Sequence, residues 1–296
     1  MGSLLGRLYA HALPPLDPSS SLVARRRWVA LGTIAASALA TGAIVGGGHG
    51  HSSASGGDLR KRTSAHVGWR PHPGPVPILM YHFIERPRPG VRNPLLYVSG
   101  RSFAAQMRWL DRHGFDGVTL DQVEDGWTKG APLPRRPIVV SFDDGYVSQY
   151  MTAMPILRRH HWPGVLSLAV GNMRVRAGLT PTEVQRLLDA GWELASHTIS
   201  HVDLRFVSRR RLRHEVRDSR RLLRYVYRVP VHNFTYPAGV YERRTVAAVR
   251  AAGYRGALTV AAGLASRRHR FALQRIRVTR EMHVRGLARR LRALGV

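Results

Sequence analysis

The stretch PIVVSFDDG, residues 137–145, joins a run of strand-forming residues to two adjacent carboxylates and a glycine. The stretch WELASHTISH, residues 192–201, has the same layout, with two histidines after its apolar run. In both stretches, polar groups begin where a buried strand would end. The pattern predicts strands that carry the chemistry of the protein at their C-terminal ends.

Similar runs recur along the chain and alternate with helical patterns. The strand-like runs are 77–81, 117–120, 137–142, 165–170, 192–195, 233–236, 256–260 and 275–278. Helices are predicted at 103–113 and 242–252, and after the capping box that starts at Thr180. This alternation predicts an α/β fold, a distorted (β/α) barrel of seven or eight mainly parallel strands. In such a barrel the C-terminal ends of the strands share one mouth, where we expect His82, Asp143, Asp144, His197 and His201 to converge.

The composition limits the classes of site and partner. The chain has 296 residues and no cysteine, which excludes disulfides and thiolate metal ligands, so a transition metal must be held by histidines and carboxylates. The net charge of +28 is spread along the sequence, and the denser basic runs 209–221 and 285–292 have leucines and valine at helical spacing. We therefore expect solvated basic helix faces and no nucleic-acid partner; attraction to acidic wall polymers or anionic lipid head groups is the alternative.

The N-terminal quarter differs from the rest of the chain. Residues 1–27 form a basic leader, predicted to be cytoplasmic, and the apolar segment 28–46 follows Arg25, Arg26 and Arg27. The segment 28–46 is predicted to be a transmembrane anchor or a cleaved signal, and 47–76 a flexible linker. The catalytic domain is then 77–296. We expect it to lie outside the cytoplasmic membrane, either anchored or secreted.

The adjacent carboxylates Asp143 and Asp144, together with His197 and His201, offer a divalent metal one carboxylate oxygen and two imidazole nitrogens, with positions left for water and substrate. The two histidines are four residues apart, a spacing that places them on one face of a helical turn. The other carboxylate of the pair is then free to act as a base.

Three segments resemble the motifs of a known family, the polysaccharide deacetylases with a NodB homology domain, also called carbohydrate esterase family four. Residues 141–145 are similar to its first motif, 197–201 to its second, and 236–239 to its third in a reduced form. The resemblance implies that Asp144, His197 and His201 bind a divalent metal, usually zinc, and that Asp143 is the general base. It also implies hydrolysis of N-acetyl groups on an amino-sugar polymer by metal-bound water.

The Tyr81–His82 pair and the segment 274–278 resemble a subset of that family, the poly-N-acetylglucosamine deacetylases. In this subset the early histidine is the general acid, which implies that role for His82, with His283 as the rival. Further residues are expected to bind or orient the substrate: Tyr81, Pro237, Gly239, Tyr241 and Arg275.

Two departures from the family pattern leave other functions open. Ala238 stands where the third motif has an aromatic residue, and the aspartate and tryptophan of the fourth motif are absent. The alternatives are an esterase that removes O-acetyl groups, and a carbohydrate-binding relative without activity. For Arg275, a surface ion pair at the end of a strand is the alternative to a role in orienting Asp143.

Overall fold

The computed structural model describes residues 68–296. The predicted leader, the apolar segment and most of the predicted linker therefore lie outside the described residues. Between residues 68 and 296, no helix is both long and apolar enough to cross a membrane.

Seven parallel strands close into a barrel, which confirms the predicted fold class. The strands of the described residues are β1 Arg70–Pro71, β2 Ile78–Tyr81, β3 Asp116–Gly117, β4 Pro132–Leu133, β5 Pro137–Asp144, β6 Val165–Leu168, β7 Glu193–Ser196, β8 Asn233–Thr235, β9 Gly256–Ala262 and β10 Leu273–Arg277. The order around the ring is β2, β10, β9, β8, β7, β6 and β5, and pairing of β2 with β5 completes it. A short eighth strand, β3, pairs with the start of β5, and β1 pairs antiparallel with β4.

The helices surround this barrel. They are α1 Gly100–Arg112, α2 Leu120–Lys129, α3 Met154–Arg159, α4 Pro181–Asp189, α5 Arg209–Arg213, α6 Ser219–Tyr227, α7 Arg243–Ala251 and α8 Val284–Ala293. The predicted capping box at Thr180 and Glu183 is present at the start of α4. The strand predicted at 117–120 is shorter than expected, because Thr119 and Gln122 form a second capping box that starts α2 at Leu120.

The alternation of side chains along β5 explains how the barrel is filled. Ile138, Val140 and Phe142 point outward into the large core between the barrel and its helices. Val139 belongs to a second apolar cluster, which α2 helps to close. Val139 and Asp143 are four residues apart, so their side chains lie on the same face of β5. The carboxylate of Asp143 therefore points into the barrel.

The ordered fold begins before the predicted boundary at Pro77. Arg70 and Pro71 pair with β4, and Val76 is fully buried and exchanges backbone hydrogen bonds with Ala265 at 2.9 and 3.0 Å. The assignment of 68–76 to a flexible linker is therefore wrong for this part. The error arises because its Gly, Pro and His content gives no strand signal, while partners distant in sequence supply the pairing.

Candidate active site

Asp143 is held by a buried arginine. The Arg275 guanidinium donates to Oδ1 and Oδ2 of Asp143, both at 2.8 Å, and its Nε donates to the carbonyl of Thr259 at 2.7 Å. Arg275 is 0% exposed. Burial alone would raise the pKa of Asp143, but the charge and hydrogen bonds of Arg275 hold it below its usual value. Of the two readings of Arg275, the structure supports the one in which it orients Asp143.

Asp144 meets the two histidines across the mouth of the barrel. Its Oδ1 lies 3.5 Å from Nε2 of His197 and 3.4 Å from Nε2 of His201. Asp144 has a φ of +75°, in the left-handed region, which ends the extended run of β5. Burial opposes ionisation of Asp144, yet the imidazoles of His197, His82 and His201 hold its pKa well below the usual range. The three predicted ligands are thus adjacent.

This group fits a divalent cation. One ligand atom from each residue lies within 4.8 Å of the others, and Oδ1 of Asp144 is buried with no hydrogen-bond donor placed to satisfy it among the described residues. Nδ1 of His197 is 2.8 Å from the carbonyl oxygen of Thr235, which turns Nε2 toward Asp144. Two imidazoles and one carboxylate form a donor set suited to zinc and to similar divalent metals.

The turn that carries both histidines is not helical, so the helical reasoning behind their proximity is wrong. Thr198 and His201 have φ of +70° and +54°, respectively, and the segment bends instead of coiling. Glu215, 0% exposed, accepts hydrogen bonds from the backbone N–H groups of Ile199 and Ser200, both at 2.9 Å. The contact with Glu215 is long-range, and therefore invisible to a local pattern.

His82 lies on the Asp143 side of the mouth. Its Nε2 is 3.9 Å from Oδ2 of Asp143, and its side chain is 13% exposed. Burial lowers the pKa of His82, and the carboxylates of Asp143 and Asp144 partly offset this effect. His283 is exposed before α8 and forms no ion pair or side-chain hydrogen bond with either aspartate. The geometry favours His82 over His283.

The segment after β8 supplies a tight turn beside the site. Gly239 has a φ of +71°, and a Cβ on it would come within 2.5 Å of the backbone nitrogen of Val260, so only glycine fits. The N–H groups of Gly239 and Val240 donate to the carbonyls of Tyr236 and Pro237 inside the turn. Pro237 is buried, and Tyr241 is 40% exposed with its ring stacked on Tyr236.

Tyr81 does not line the mouth, contrary to the sequence-based prediction. It is 0% exposed, its hydroxyl donates to Oε1 of Gln106 at 2.9 Å, and its ring packs on Phe103 and Phe142. The alternation of side chains along a strand explains the difference. Tyr81 and His82 are neighbours in the sequence, so their side chains point to opposite faces, and Tyr81 faces the helical layer. Tyr81 is therefore a core residue.

Two residues of the site were missed by the sequence analysis. The Tyr146 phenol lies beside Asp144. Burial is the main cause that raises the pKa of Tyr146 well above the usual range, and the negative charge of Asp144 raises it further. Glu215 supports the histidine turn, as described above. A signal existed for Glu215, because it is one of only two carboxylates within the basic run 209–221.

Comparisons with known proteins find similarity to polysaccharide deacetylases. A family model described as "Polysaccharide deacetylase" matches residues 130–257, which contain the aspartate pair and both histidines. A protein of Bacillus subtilis (strain 168) named "Putative polysaccharide deacetylase YxkH" is 28% identical over 208 residues, 70% of this chain and 72% of YxkH. The poly-beta-1,6-N-acetyl-D-glucosamine N-deacetylase of Escherichia coli O157:H7 is 35% identical over 106 residues, 36% of this chain but 15% of that protein.

A solved structure agrees over most of the described fold. The Streptococcus pyogenes deacetylase PplD in complex with acetate superposes with a TM-score of 0.69 and 25% identity, covering 74% of this chain and 98% of PplD. Residues 130–257, which the family model matches, include the strand ends at which Asp144 and His197 meet. With that barrel and those strand-end motifs, the chain is similar to polysaccharide deacetylases, which supports its assignment as a deacetylase hydrolase.

Proposed function

We propose that the protein removes N-acetyl groups from an amino-sugar polysaccharide, such as poly-N-acetylglucosamine, peptidoglycan or a chitin-like polymer. The observation that carries this proposal is the placement of Asp144, His197 and His201 within 4.8 Å of one another beside the Asp143–Arg275 pair. The name of the E. coli relative, an N-deacetylase of poly-beta-1,6-N-acetyl-D-glucosamine, supports the choice of an amide as the bond cleaved.

Asp144, His197 and His201 would hold a divalent cation, and we propose zinc. When bound, such a cation acts as a Lewis acid on the acetyl carbonyl and on water. The protein keeps the ligands ready for it, because Thr235 fixes the His197 ring and Glu215 fixes the turn before His201.

Asp143 acts as the general base. It accepts a proton from the attacking water while Arg275 keeps both carboxylate oxygens in place through bonds of 2.8 Å. Since the pKa of Asp143 is held below its usual value, the carboxylate is ionised at neutral pH and ready to receive that proton. A carboxylate oxygen has more than one lone pair, so the bonds from Arg275 leave room for the incoming proton.

His82 acts as the general acid, and Tyr241 contributes a backbone donor. An amine leaves poorly unless it is protonated, and Nε2 of His82, 3.9 Å from Asp143, can deliver a proton on the same side of the mouth. Of the N–H groups of Gly239, Val240 and Tyr241, only that of Tyr241 is not used inside the turn, so it is the one available to the developing oxyanion.

The test is acetate release from matched N-acetylated and O-acetylated sugar oligomers, with and without a chelator and added zinc. We expect release from the N-acetylated oligomer that the chelator abolishes and zinc restores. Acetate released from the O-acetylated oligomer alone would show that the protein is an esterase. Acetate release that the chelator does not reduce would show that the reaction needs no metal.

The same assay tests the general acid. His82→Ala should lose more activity on the amide than on an activated aryl acetate, whereas His283→Ala should lose little activity on either substrate.

We also propose that the catalytic domain lies outside the cytoplasmic membrane, as the basic flank 25–27 before the apolar segment 28–46 suggests. Protease added to intact spheroplasts should then digest the domain. Protection that persists until the membrane is permeabilised would contradict this topology.

A further inference from the structure

The turn that follows Asp144 holds the loop that carries His82. Nε2 of Gln149 donates to the backbone carbonyl of His82 at 2.9 Å and to that of Asp143 at 2.7 Å. Gln149 begins a short π-helical segment, Gln149–Ala153, and it is 0% exposed. One buried amide group therefore joins the backbone of the general acid to that of the general base.

Two further contacts from the same turn reach the two residues after His82. The ring of Tyr146 stacks on that of Phe83, with centroids 3.6 Å apart. Oγ of Ser148 accepts from the backbone N–H of Ile84 at 3.1 Å. Three consecutive residues are thus each held by a different residue of the turn, and these contacts fix the path of the chain where it leaves β2.

The orientation of the Gln149 amide follows from its two partners. Both are carbonyl oxygens, which accept hydrogen bonds and cannot donate them, so the nitrogen and not Oε1 must face them. Oε1 is buried without a hydrogen-bond donor among residues 68–296. Because a buried acceptor without a donor costs stability, the fold tolerates that cost while keeping both bonds of the nitrogen.

Of the two residues that Gln149 joins, His82 depends on it more. Asp143 lies within β5 and pairs with Ser167 of β6, and its carboxylate is held by Arg275. His82 lies one residue beyond the end of β2, outside the strand pairing with β5. Loss of the Gln149 bonds would therefore leave Asp143 in place and release His82.

We propose that Gln149 is a positioning residue that keeps the general acid His82 at its distance from the base Asp143. The inference rests on the proposed function and adds to it a residue that acts through another. In amide hydrolysis the acid must reach the departing nitrogen, and a misplacement of about 1 Å can cost about 100-fold in rate. Gln149 thus acts on the step that needs a proton, and not on binding of the sugar.

The test compares Gln149→Met with Gln106→Met, which removes an equally buried glutamine that also forms two hydrogen bonds. Gln106 bonds to the side chain of Tyr81, in the helical layer, and to the loop before α8. KM and kcat are measured on the full-length protein with an N-acetylglucosamine oligomer and with an activated aryl acetate, with and without His82→Ala. Zinc content is determined for each protein, and backbone hydrogen exchange of residues 82–86 is followed by mass spectrometry.

We expect Gln149→Met to lower kcat by about 10- to 100-fold on the oligomer but by less than about threefold on the aryl acetate, whose leaving group scarcely needs a proton. KM and zinc content should stay within about twofold of the unaltered protein, because neither depends on the acid. In the His82→Ala background, Gln149→Met should add no further loss on the oligomer, since the acid is already absent. Hydrogen exchange of residues 82–86 should become about tenfold faster, the effect of losing one hydrogen bond. Gln106→Met should change neither this exchange rate nor the ratio of kcat between the two substrates.

An unchanged kcat on the oligomer, an equal loss on both substrates, or a further loss in the His82→Ala background would overturn the proposal, because Gln149 would then not act through His82. An unchanged exchange rate would also overturn it, and so would the same losses in Gln106→Met, which would show that lowered stability is the cause. If the unaltered protein releases acetate from neither substrate, the proposed function fails, and the exchange rates still decide whether Gln149 holds His82.

Discussion

At the scale of single residues, the Asp143–Arg275 pair is the most constrained contact of the site. Both side chains are buried and joined by two hydrogen bonds of 2.8 Å, so removing one partner leaves an uncompensated charge in the interior. The pair therefore couples the stability of the barrel to the ionisation of its base.

We predict that Arg275→Met lowers the free energy of unfolding by about 3–5 kcal/mol, the usual cost of breaking a buried ion pair. Urea denaturation measures this change, with Arg277→Met, an exposed position on the same strand, as the matched control. The double variant Asp143→Asn/Arg275→Met should recover part of the loss. Equal free energies of unfolding for the two arginine variants would show that the Asp143–Arg275 pair does not stabilise the fold by this amount.

The sequence predicted correctly which residues at strand ends meet at the site. It was misleading where a role was assigned to a residue only because its neighbour in the sequence has one. Asp143, Asp144, His197 and His201 meet as predicted because a parallel barrel brings all its C-terminal strand ends to one mouth. Tyr81 was assigned to the site through its partner His82, yet alternation turns it into the core.

At the scale of elements, the turn from His197 to His201 depends on a helix that follows it. The carboxylate of Glu215, in the π-helical segment His214–Asp218 between α5 and α6, accepts from Ile199 N, Ser200 N and the Ser200 hydroxyl, the last at 2.5 Å. These bonds support the left-handed backbone of Thr198 and His201. No periodicity in the sequence could reveal this support, because the contact joins two separate elements.

We predict that Glu215→Gln weakens metal binding by about tenfold or more, the range typical of groups that orient ligands without touching the metal. Competition with a chromophoric chelator gives the zinc dissociation constant. Asp218→Asn, in the same segment but partly exposed, should bind zinc as the unaltered protein does. Matching losses in the two variants would mean that Glu215 has no special role at the turn.

At the scale of the whole molecule, the end of the barrel opposite the mouth holds buried polar groups with no counterpart in the sequence motifs. Glu193, at the start of β7, accepts from Asn233 Nδ2 and from the backbone of Asp121, both at 2.9 Å. Burial, with the charge of Asp121 adding to it, raises the pKa of Glu193 from 4.5 to about 8. These residues are far apart in the sequence and meet only in the closed barrel. Their positions in the sequence therefore did not predict the contacts of Glu193.

This raised pKa predicts a stability that falls with pH. The folded protein keeps a proton on Glu193 that the unfolded chain has lost, so this contribution is complete below about pH 4.5 and disappears as pH rises toward 8. Glu193→Gln should flatten the decline in urea midpoint measured between these limits. The difference between the two proteins is the relevant quantity, because it removes the contributions that both proteins share. Parallel declines would exclude Glu193 as the source.

The central claim is that Asp144 holds a metal while its neighbour Asp143 moves a proton, and metal content separates these roles where activity cannot. Asp143→Asn and Asp144→Asn should both lose turnover on an N-acetylglucosamine oligomer. We predict that Asp143→Asn keeps its bound zinc, since it removes only a proton acceptor, and that Asp144→Asn loses zinc, because an amide oxygen is a poorer ligand than a carboxylate. Zinc retained by Asp144→Asn, or lost by Asp143→Asn alone, would contradict the account.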